Sequence, residues 1–317
     1  MFRLIVASEA IVLYWIWKTM ALFPTVSVAG GASTEAKRVP WAAIVWFGIL
    51  LIGCYAPVLD RLVHQWNTDE DMGHGFFVPV IAGYIAWQRR DRLLAEPIKP
   101  NYGGLLLVVW GAAQLMLATL GAELLLARTA FLISLAGVIL VIAGTGVLRV
   151  LAFPLFLLLF MVPLPAIIYN QITFPLQLFA SAVAESALGA LGIPVLREGN
   201  VLELASQKLS VVEACSGIRS LLSLSFLSLV YAHFFDSKQW MRWVLLVATV
   251  PIAIIANASR VTLTGLISEW KPELAQGFFH TAEGWVIFMV ALVILVVFHQ
   301  LVDRIYRSYH ARKQPSA

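Results

Sequence analysis

The sequence is poor in charge for its length. Only 13% of its 317 residues are Asp, Glu, Lys or Arg, whereas 60% are hydrophobic, and the mean hydropathy is +0.85. A soluble domain carries about 25% charged and about 45–50% apolar residues. A chain of this composition cannot cover its own surface with polar groups, which excludes a water-soluble globular protein and favours a protein of the lipid bilayer.

Cysteine is scarce as well. The chain has two, Cys54 in an apolar stretch and Cys215 in a polar one, which excludes a disulfide-rich secreted domain. With 21 Gly and 14 Pro, the composition also fits neither a collagen-like nor a disordered chain. A folded membrane protein without a disulfide framework is the class that remains.

Long stretches carry no charge at all, namely 39–59, 220–235, 243–259 and 284–302. They approach the ~20 residues that cross a bilayer, and backbone groups in lipid must be paired within a helix or a closed barrel. Because the runs are continuous rather than alternating, they favour helices. The sequence therefore predicts an all-α polytopic integral membrane protein with about eight or nine transmembrane helices, near residues 4–24, 39–59, 75–88, 103–121, 124–144, 148–165, 218–235, 243–259 and 284–302.

Basic residues predict the orientation, because Lys and Arg of short loops stay on the cytoplasmic side. With the C-terminus inside, 13 of the 22 Lys and Arg are cytoplasmic and 12 of the 18 acids are outside. A signal peptide ending near Ala29 is the alternative for the first span. It would export the cluster Arg89-Arg90-Arg92, so the charges favour a span. The net charge of +4 then faces anionic lipid, and nothing indicates nucleic acid as a partner.

The longest segment between spans is 166–217. Its first half, 166–191, is apolar but broken by polar residues, which favours an interfacial or re-entrant helix. Its second half predicts a small β-hairpin-like element on the outer surface, with a turn at Gly199-Asn200. The chain is thus divided into an N-terminal span with a cytoplasmic link (1–38), N-terminal transmembrane helices (39–165), the outer segment (166–217), catalytic transmembrane helices (218–302) and a basic cytoplasmic tail (303–317).

Three reactive or charged side chains fall at the outer ends of the last three spans: Cys215, Arg260 and His280. Alternating topology places all three at one membrane depth, although 65 residues separate the first from the last. Each has an ordinary alternative role, since a free cysteine is often a small buried hydrophobe, an arginine can snorkel to the interface and a histidine can cap a helix. Their shared depth favours a common functional site over these three separate roles.

The residue types suit acyl transfer. A thiol's pKa falls at a helix N-terminus or beside Arg or protonated His, and all three settings are expected for Cys215. Its thiolate can attack a peptide carbonyl and form a thioester. His280 can serve as general acid and base, whereas Arg260, always protonated, can stabilise the oxyanion or the substrate carbonyl.

Four further side chains are candidates for supporting roles. Glu213 precedes Cys215 by two residues, Asn257 lies one helical turn before Arg260, and Glu283 lies close after His280. His74 is also predicted to be outside, where it can line the pocket or bind substrate. Its alternative is a place in a flexible, glycine-flanked loop.

These segments resemble the exosortase/archaeosortase family. The matching stretches are EACSGIRS at 213–220, NASRV at 257–261 and HTAEG at 280–284, and the family carries Cys, Arg and His in this order. The stretch GHGFFVP at 73–79, with WQRR at 87–90, is similar to the family's N-terminal motif. The resemblance covers about residues 60–302 and carries the family's Cys, Arg and His over to Cys215, Arg260 and His280.

The resemblance implies a function and a location. Exosortases are thought to be membrane cysteine proteases or transpeptidases of the inner membrane of Gram-negative bacteria, with the active site facing the periplasm and a cytoplasmic C-terminus expected here. Their substrates are membrane-anchored proteins with a C-terminal sorting signal of the PEP-CTERM type: a Pro-Glu-Pro-like motif, a hydrophobic helix and a basic tail. The lipid bilayer and exopolysaccharide export machinery are the other expected partners, and no cofactor or metal is expected.

Two other functions are considered. The chain could be a transporter or scaffold of polysaccharide export in which Arg260 and His280 bind an anionic solute, although a transporter would carry charged or broken helices near the bilayer midplane. It could also be a metalloenzyme using His74, Glu213, Cys215 and His280, but these residues lack short ligand spacing. The residues themselves leave open whether water or an amine resolves the thioester.

Overall fold

The computed structural model describes residues 41–211, 218–236, 238–270 and 278–313, without the side chains of residues 70, 218, 278–283 and 311–313. The predicted span at 4–24 lies outside these ranges. The chain divides into two compact units at Pro165 and Ala166, and each unit is described by itself.

The described part of the first unit contains helices and connecting loops but no strands. Its longest helix, α5, is interrupted at Gly144, which has a non-helical backbone with φ 87° and ψ −175°. The other helices are uninterrupted, and two short 3₁₀ helices join them. In order they are α1 (Trp41–Thr68), a 3₁₀ helix (Glu70–Phe76), α2 (Phe77–Gln88), α3 (Arg90–Ala95), α4 (Gly103–Leu120), α5 (Leu124–Leu157) and a second 3₁₀ helix (Leu158–Met161).

The second unit combines four helices with one small sheet. The sheet is antiparallel with strand order β1-β2-β3, and its first turn contains Gly199 at φ 64°, a left-handed conformation that glycine adopts without strain. The elements are α6 (Ala166–Ala190), β1 (Val195–Glu198), β2 (Val201–Leu204), β3 (Lys208–Ser210), α7 (Ile218–Phe235), α8 (Gln239–Trp270) and α9 (Phe278–Lys313).

The architecture of an all-α polytopic membrane protein is confirmed. Within the described ranges, six helical segments are long and apolar enough to cross a membrane, and α7 is a shorter apolar helix. Two predictions differ in detail. The predicted span at 75–88 is α2 of only 12 residues preceded by a 3₁₀ helix, and α6, predicted to be interfacial, is itself among the six. The six segments are Trp41–Thr68, Gly103–Leu120, Leu124–Met161, Ala166–Ala190, Gln239–Trp270 and Gly284–His310.

The segment from Leu124 to Met161 reverses direction. Arg128 donates to the Gln65 side-chain oxygen at 2.6 Å, and the neighbouring Trp66 donates to the Met161 carbonyl at 2.9 Å. A straight helix would hold Arg128 and Met161 about 50 Å apart, too far for both to meet adjacent residues. The break at Gly144 therefore separates two arms, in keeping with the predicted boundary between spans 124–144 and 148–165.

The break needs a glycine because another chain segment crosses it closely. The Lys99 backbone N–H donates to the Ala143 carbonyl at 3.3 Å, and Asn101 donates to Leu140 at 3.1 Å. A side chain at Gly144 would collide with the Lys99 carbonyl oxygen. Hydropathy locates this boundary from sequence, but the reversal itself depends on the packing of 99–101 against the break.

The sheet of the second unit is fixed between two helices. One hydrophobic cluster joins α6, the sheet and α8, and polar contacts fasten its ends: Arg197 to Glu185 at 2.8 Å, and Ser206 to Glu269 at 2.8 Å. Burial of the apolar face therefore fixes the strand register. The buried members of the cluster are Ala180, Ala184, Leu188, Leu202, Leu204, Leu209, Val211, Ala258 and Val261.

Candidate active site

Arg260 lies on α8, half-buried, where this helix packs against the sheet. Its neighbours in sequence, Ala258 and Val261, are both buried in the cluster that contains the sheet. Asn257, one helical turn earlier, is also buried at 7% exposure. The backbone that carries the guanidinium is thus held rigidly by apolar packing on one side of α8.

The Arg260 guanidinium lies against α9 at Gly284. A methyl carbon at Gly284 would be 3.0 Å from Nη2, 3.1 Å from Cζ and 3.3 Å from Nη1 of Arg260. Because these distances are shorter than an ordinary carbon contact of about 3.5–4.0 Å, an alanine at 284 would make the guanidinium shift by a few tenths of an ångström. The Arg260 side chain of α8 therefore packs against α9 at Gly284, which has no side chain of its own.

His280 occupies the first turn of α9, which begins at Phe278. It precedes Gly284 by four residues, so the two positions share one helix face and their backbones lie about 6 Å apart along the axis. The His280 side chain is outside the described atoms, as is that of Glu283. What the structure establishes is that position 280 is one turn from the residue that contacts Arg260.

Cys215 and Glu213 lie outside the described residues. The nearest described residue before them is Val211, which is fully buried in the same cluster as Ala258 and Val261. The described chain thus reaches, at Val211, the cluster that also holds the sequence neighbours of Arg260. The placement of Cys215 stays a prediction.

Arg260 provides a positively charged group in a half-buried position. A guanidinium carries five N–H donors in one plane, and donors in low-dielectric surroundings stabilise a developing negative charge more than they do in water. Arg260 can therefore bind a carbonyl oxygen or an oxyanion that approaches its guanidinium. It cannot act as a base.

His74 belongs to the first unit, in the 3₁₀ helix Glu70–Phe76. Its Nε2 donates to the Phe160 carbonyl at 3.2 Å, and the adjacent Gly75 packs directly on the Trp66 ring. Burial lowers the pKa of His74 below its ordinary value of 6.5, against the opposing effect of its hydrogen bonds and Asp71. The residue links its own 3₁₀ helix to the second 3₁₀ helix, Leu158–Met161, rather than lying in a flexible loop. Its part in binding substrate stays a prediction.

A buried polar network at the other end of α8 is absent from the sequence predictions. The Tyr231 hydroxyl and His299 Nδ1 are 3.0 Å apart, and His299 Nε2 is 3.1 Å from the Asp236 carboxylate. Lys238 donates to Asp303 at 2.6 Å. These contacts tie the C-terminus of α7 and the start of α8 to α9. An ionisable residue inside an apolar run points to a functional or structural role, and His299 fits this description in the sequence.

The metalloenzyme alternative rests on side chains that the structure largely leaves undescribed. Within its described residues, the chain has no group of three or more His, Cys, Asp and Glu placed to hold a metal ion. Of the four ligands in that alternative, only His74 is described with its side chain. The proposed set of four metal ligands therefore stays a prediction.

Comparison with known proteins identifies a family. The family model for transmembrane exosortases matches residues 66–297, which is well over half of the chain and includes positions 215, 260 and 280. No curated protein matches significantly. No solved structure matches either.

Proposed function

The chain belongs to the transmembrane exosortase family, and from this premise we propose that it is a membrane cysteine endopeptidase or transpeptidase. Its substrates are exported proteins whose C-terminal sorting signal it cleaves at the outer face of the inner membrane. The observation that carries the proposal is the position of the Arg260 guanidinium against Gly284, one turn after His280. The cluster that joins Ala258 and Val261 to Val211 supports a nearby Cys215.

The reaction uses the three side chains in sequence. The Cys215 thiolate bonds to the scissile carbonyl carbon, and the carbonyl electrons move to oxygen, where the Arg260 N–H groups bind the oxyanion. As the C–N bond breaks, His280 donates a proton to the leaving amine. Water or an acceptor amine then loses a proton to His280 and attacks the thioester, which releases Cys215 as thiolate.

The substrate's own chemistry supports this location. A signal made of a short motif, an apolar helix and a basic tail inserts with its tail on the cytoplasmic side. Its motif then lies at the outer leaflet, the depth predicted for Cys215, Arg260 and His280. Entry between helices from the lipid side brings the cleavage site to Cys215 without unfolding the anchor.

The two cysteines of the chain provide a test variant and its control. Cys215→Ala and Cys54→Ser are each expressed with a membrane-anchored reporter that ends in a PEP-CTERM-type signal. We expect Cys215→Ala to abolish processing and Cys54→Ser, in α1, to retain it. Undiminished processing by Cys215→Ala would refute the assigned nucleophile.

Mass spectrometry of the processed reporter separates the two reaction types. A free carboxylate at the new C-terminus means hydrolysis, whereas an added group identifies transpeptidation and the acceptor. A serine variant, Cys215→Ser, complements the test because its hydroxyl is a much weaker nucleophile than a thiolate. Accumulated thioester in wild type, trapped by hydroxylamine, is the expected intermediate.

A further inference from the structure

Strand β3 lies at the edge of the sheet. The strand order is β1-β2-β3, so among the described residues β3 pairs with β2 alone. It comprises Lys208–Ser210, and four residues separate its end from Cys215. An edge strand presents unpaired backbone N–H and C=O groups to any extended chain that approaches it.

The hydrogen-bond pattern identifies which groups face outward. Leu204 donates to the Gln207 carbonyl at 3.0 Å, and Val211 donates to Asn200 at 3.0 Å, while Leu202 is opposite Leu209. In an antiparallel ladder, hydrogen-bonded pairs alternate with non-bonded ones. Leu209 therefore directs its N–H and C=O to β2, whereas Lys208 and Ser210 direct theirs to the open edge.

The side chains agree with this geometry. Leu209 is buried in the cluster beneath the sheet, so the strand cannot rotate. Lys208 is exposed on the opposite face, where it pairs with Glu203. The packing of Leu209 thus fixes the orientation of the edge, with Lys208 exposed and Ser210 half-buried.

The edge is also held close to the helix that carries Arg260. The turn between β2 and β3 is bound to α8, since Gln207 donates to Ser268 at 2.8 Å and Ser206 to Glu269 at 2.8 Å. Ser268 is about 12 Å from Arg260 along the helix axis. An extended peptide covers this distance in about four residues.

We propose that β3 is the docking edge for the substrate: an extended polypeptide segment next to the scissile bond pairs with Lys208 and Ser210 as a fourth strand. The inference rests on the proposed function, because it assigns a binding edge to the same site. Main-chain hydrogen bonds of this kind bind many sequences and leave alternate side chains to set specificity. The bound segment then continues towards Cys215 and Arg260.

Proline at position 210 tests the proposal, since it removes the outward N–H while Leu209 is already extended, the conformation that a following proline requires. Ser210→Ala is the matched control, because it removes the hydroxyl and retains the N–H. The probe is a peptide covering the cleavage site that mass spectrometry has defined. We expect the KM of Ser210→Pro to be about three- to tenfold higher than that of Ser210→Ala, the effect of one hydrogen bond.

A second measurement avoids changes in the protein. Each backbone amide of the peptide before the cleavage site is replaced in turn by an ester, which cannot donate a hydrogen bond. Pairing with β3 predicts weakened binding at alternate positions, because only every second N–H faces the edge. The alkylation rate of Cys215 in a Cys54→Ser background reports whether Ser210→Pro preserves the site.

The outcomes are distinct. Equal KM values for Ser210→Pro and Ser210→Ala, with no alternation in the ester series, would overturn the docking edge while cysteine catalysis stands. Loss of processing in Cys215→Ala supports the catalytic proposal independently. If Ser210→Pro alters Cys215 alkylation, the ester series alone decides.

Discussion

The Arg260 guanidinium and the Gly284 backbone are in direct contact between α8 and α9, with a hypothetical methyl carbon at Gly284 only 3.0 Å from Nη2. This contact brings a cation to within one helical turn of position 280. It also explains why a glycine stands in the middle of a helix, where glycine is otherwise less favourable than alanine by about 1 kcal/mol. Glycine at position 284 therefore lowers the intrinsic stability of α9 but leaves space for the Arg260 guanidinium.

Gly284→Ala should therefore lower kcat. The added methyl group displaces the guanidinium by a few tenths of an ångström, and because a misplacement of about 1 Å can reduce a rate by about 100-fold, we expect a smaller, several-fold loss. The measurement is kcat and KM for the peptide substrate. We expect the loss mainly in kcat, with partial rescue when Arg260→Lys supplies a smaller head group.

Gly189→Ala is the matched control for that variant. Gly189 lies on α6 in the same unit, and a methyl group there meets nothing within 4 Å. It should leave activity unchanged and raise stability by about 0.4–1 kcal/mol. If Gly284→Ala also retained full kcat, the contact with Arg260 would have no catalytic role.

Arg260→Gln should be more damaging than Arg260→Lys. Removal of one donor to a developing oxyanion reduces kcat by about 100- to 1,000-fold, whereas lysine keeps the charge but not the planar fork. The alkylation rate of Cys215 distinguishes a folded but inactive variant from a collapsed site. Arg197→Gln is the control, because its pair with Glu185 is partly exposed and such pairs contribute about 1 kcal/mol or less.

The sequence predicts the helical membrane architecture well because hydropathy and charge act locally. Alternating spans also predict that Arg260 and His280 lie at one depth, and the contact at Gly284 joins the two helices that carry them. Packing, however, acts between distant segments. The reversal at Gly144 depends on the Lys99 carbonyl, which no local pattern reports.

The interfacial prediction for 166–191 illustrates a different limit. Polar residues such as Gln177 and Glu185 weaken the apolar run, which favours the membrane surface. In the structure these side chains have partners in the sheet, since Gln177 accepts from Asn200 at 3.1 Å and Glu185 pairs with Arg197. Satisfied polar groups of this kind are compatible with a long helix that hydropathy alone underestimates.

The network around His299 should stabilise the second unit without affecting the chemistry. Asp236→Ala or His299→Phe removes a group that makes two of the hydrogen bonds, which costs about 1–3 kcal/mol, whereas Tyr231→Phe removes one hydrogen bond of about 1 kcal/mol. Thermal unfolding should rank the variants in this order. Cys215 alkylation and kcat at low temperature should stay at wild-type values, and a selective loss of kcat in all three would assign the network a catalytic part.

His74 should make stability depend on pH. Its pKa is lowered by burial from the ordinary 6.5, so the unfolded chain binds more protons than the folded one between the two pKa values. Stability from this group is full above pH 6.5 and is lost as pH falls through the lower, folded-state pKa. Unfolding temperatures measured across this window should fall on acidification. In His74→Gln, whose amide can still donate to the Phe160 carbonyl, the fall should be smaller. His64→Gln, on the exposed face of α1, controls for the loss of any histidine, and identical curves for wild type and His74→Gln would contradict a neutral, buried His74.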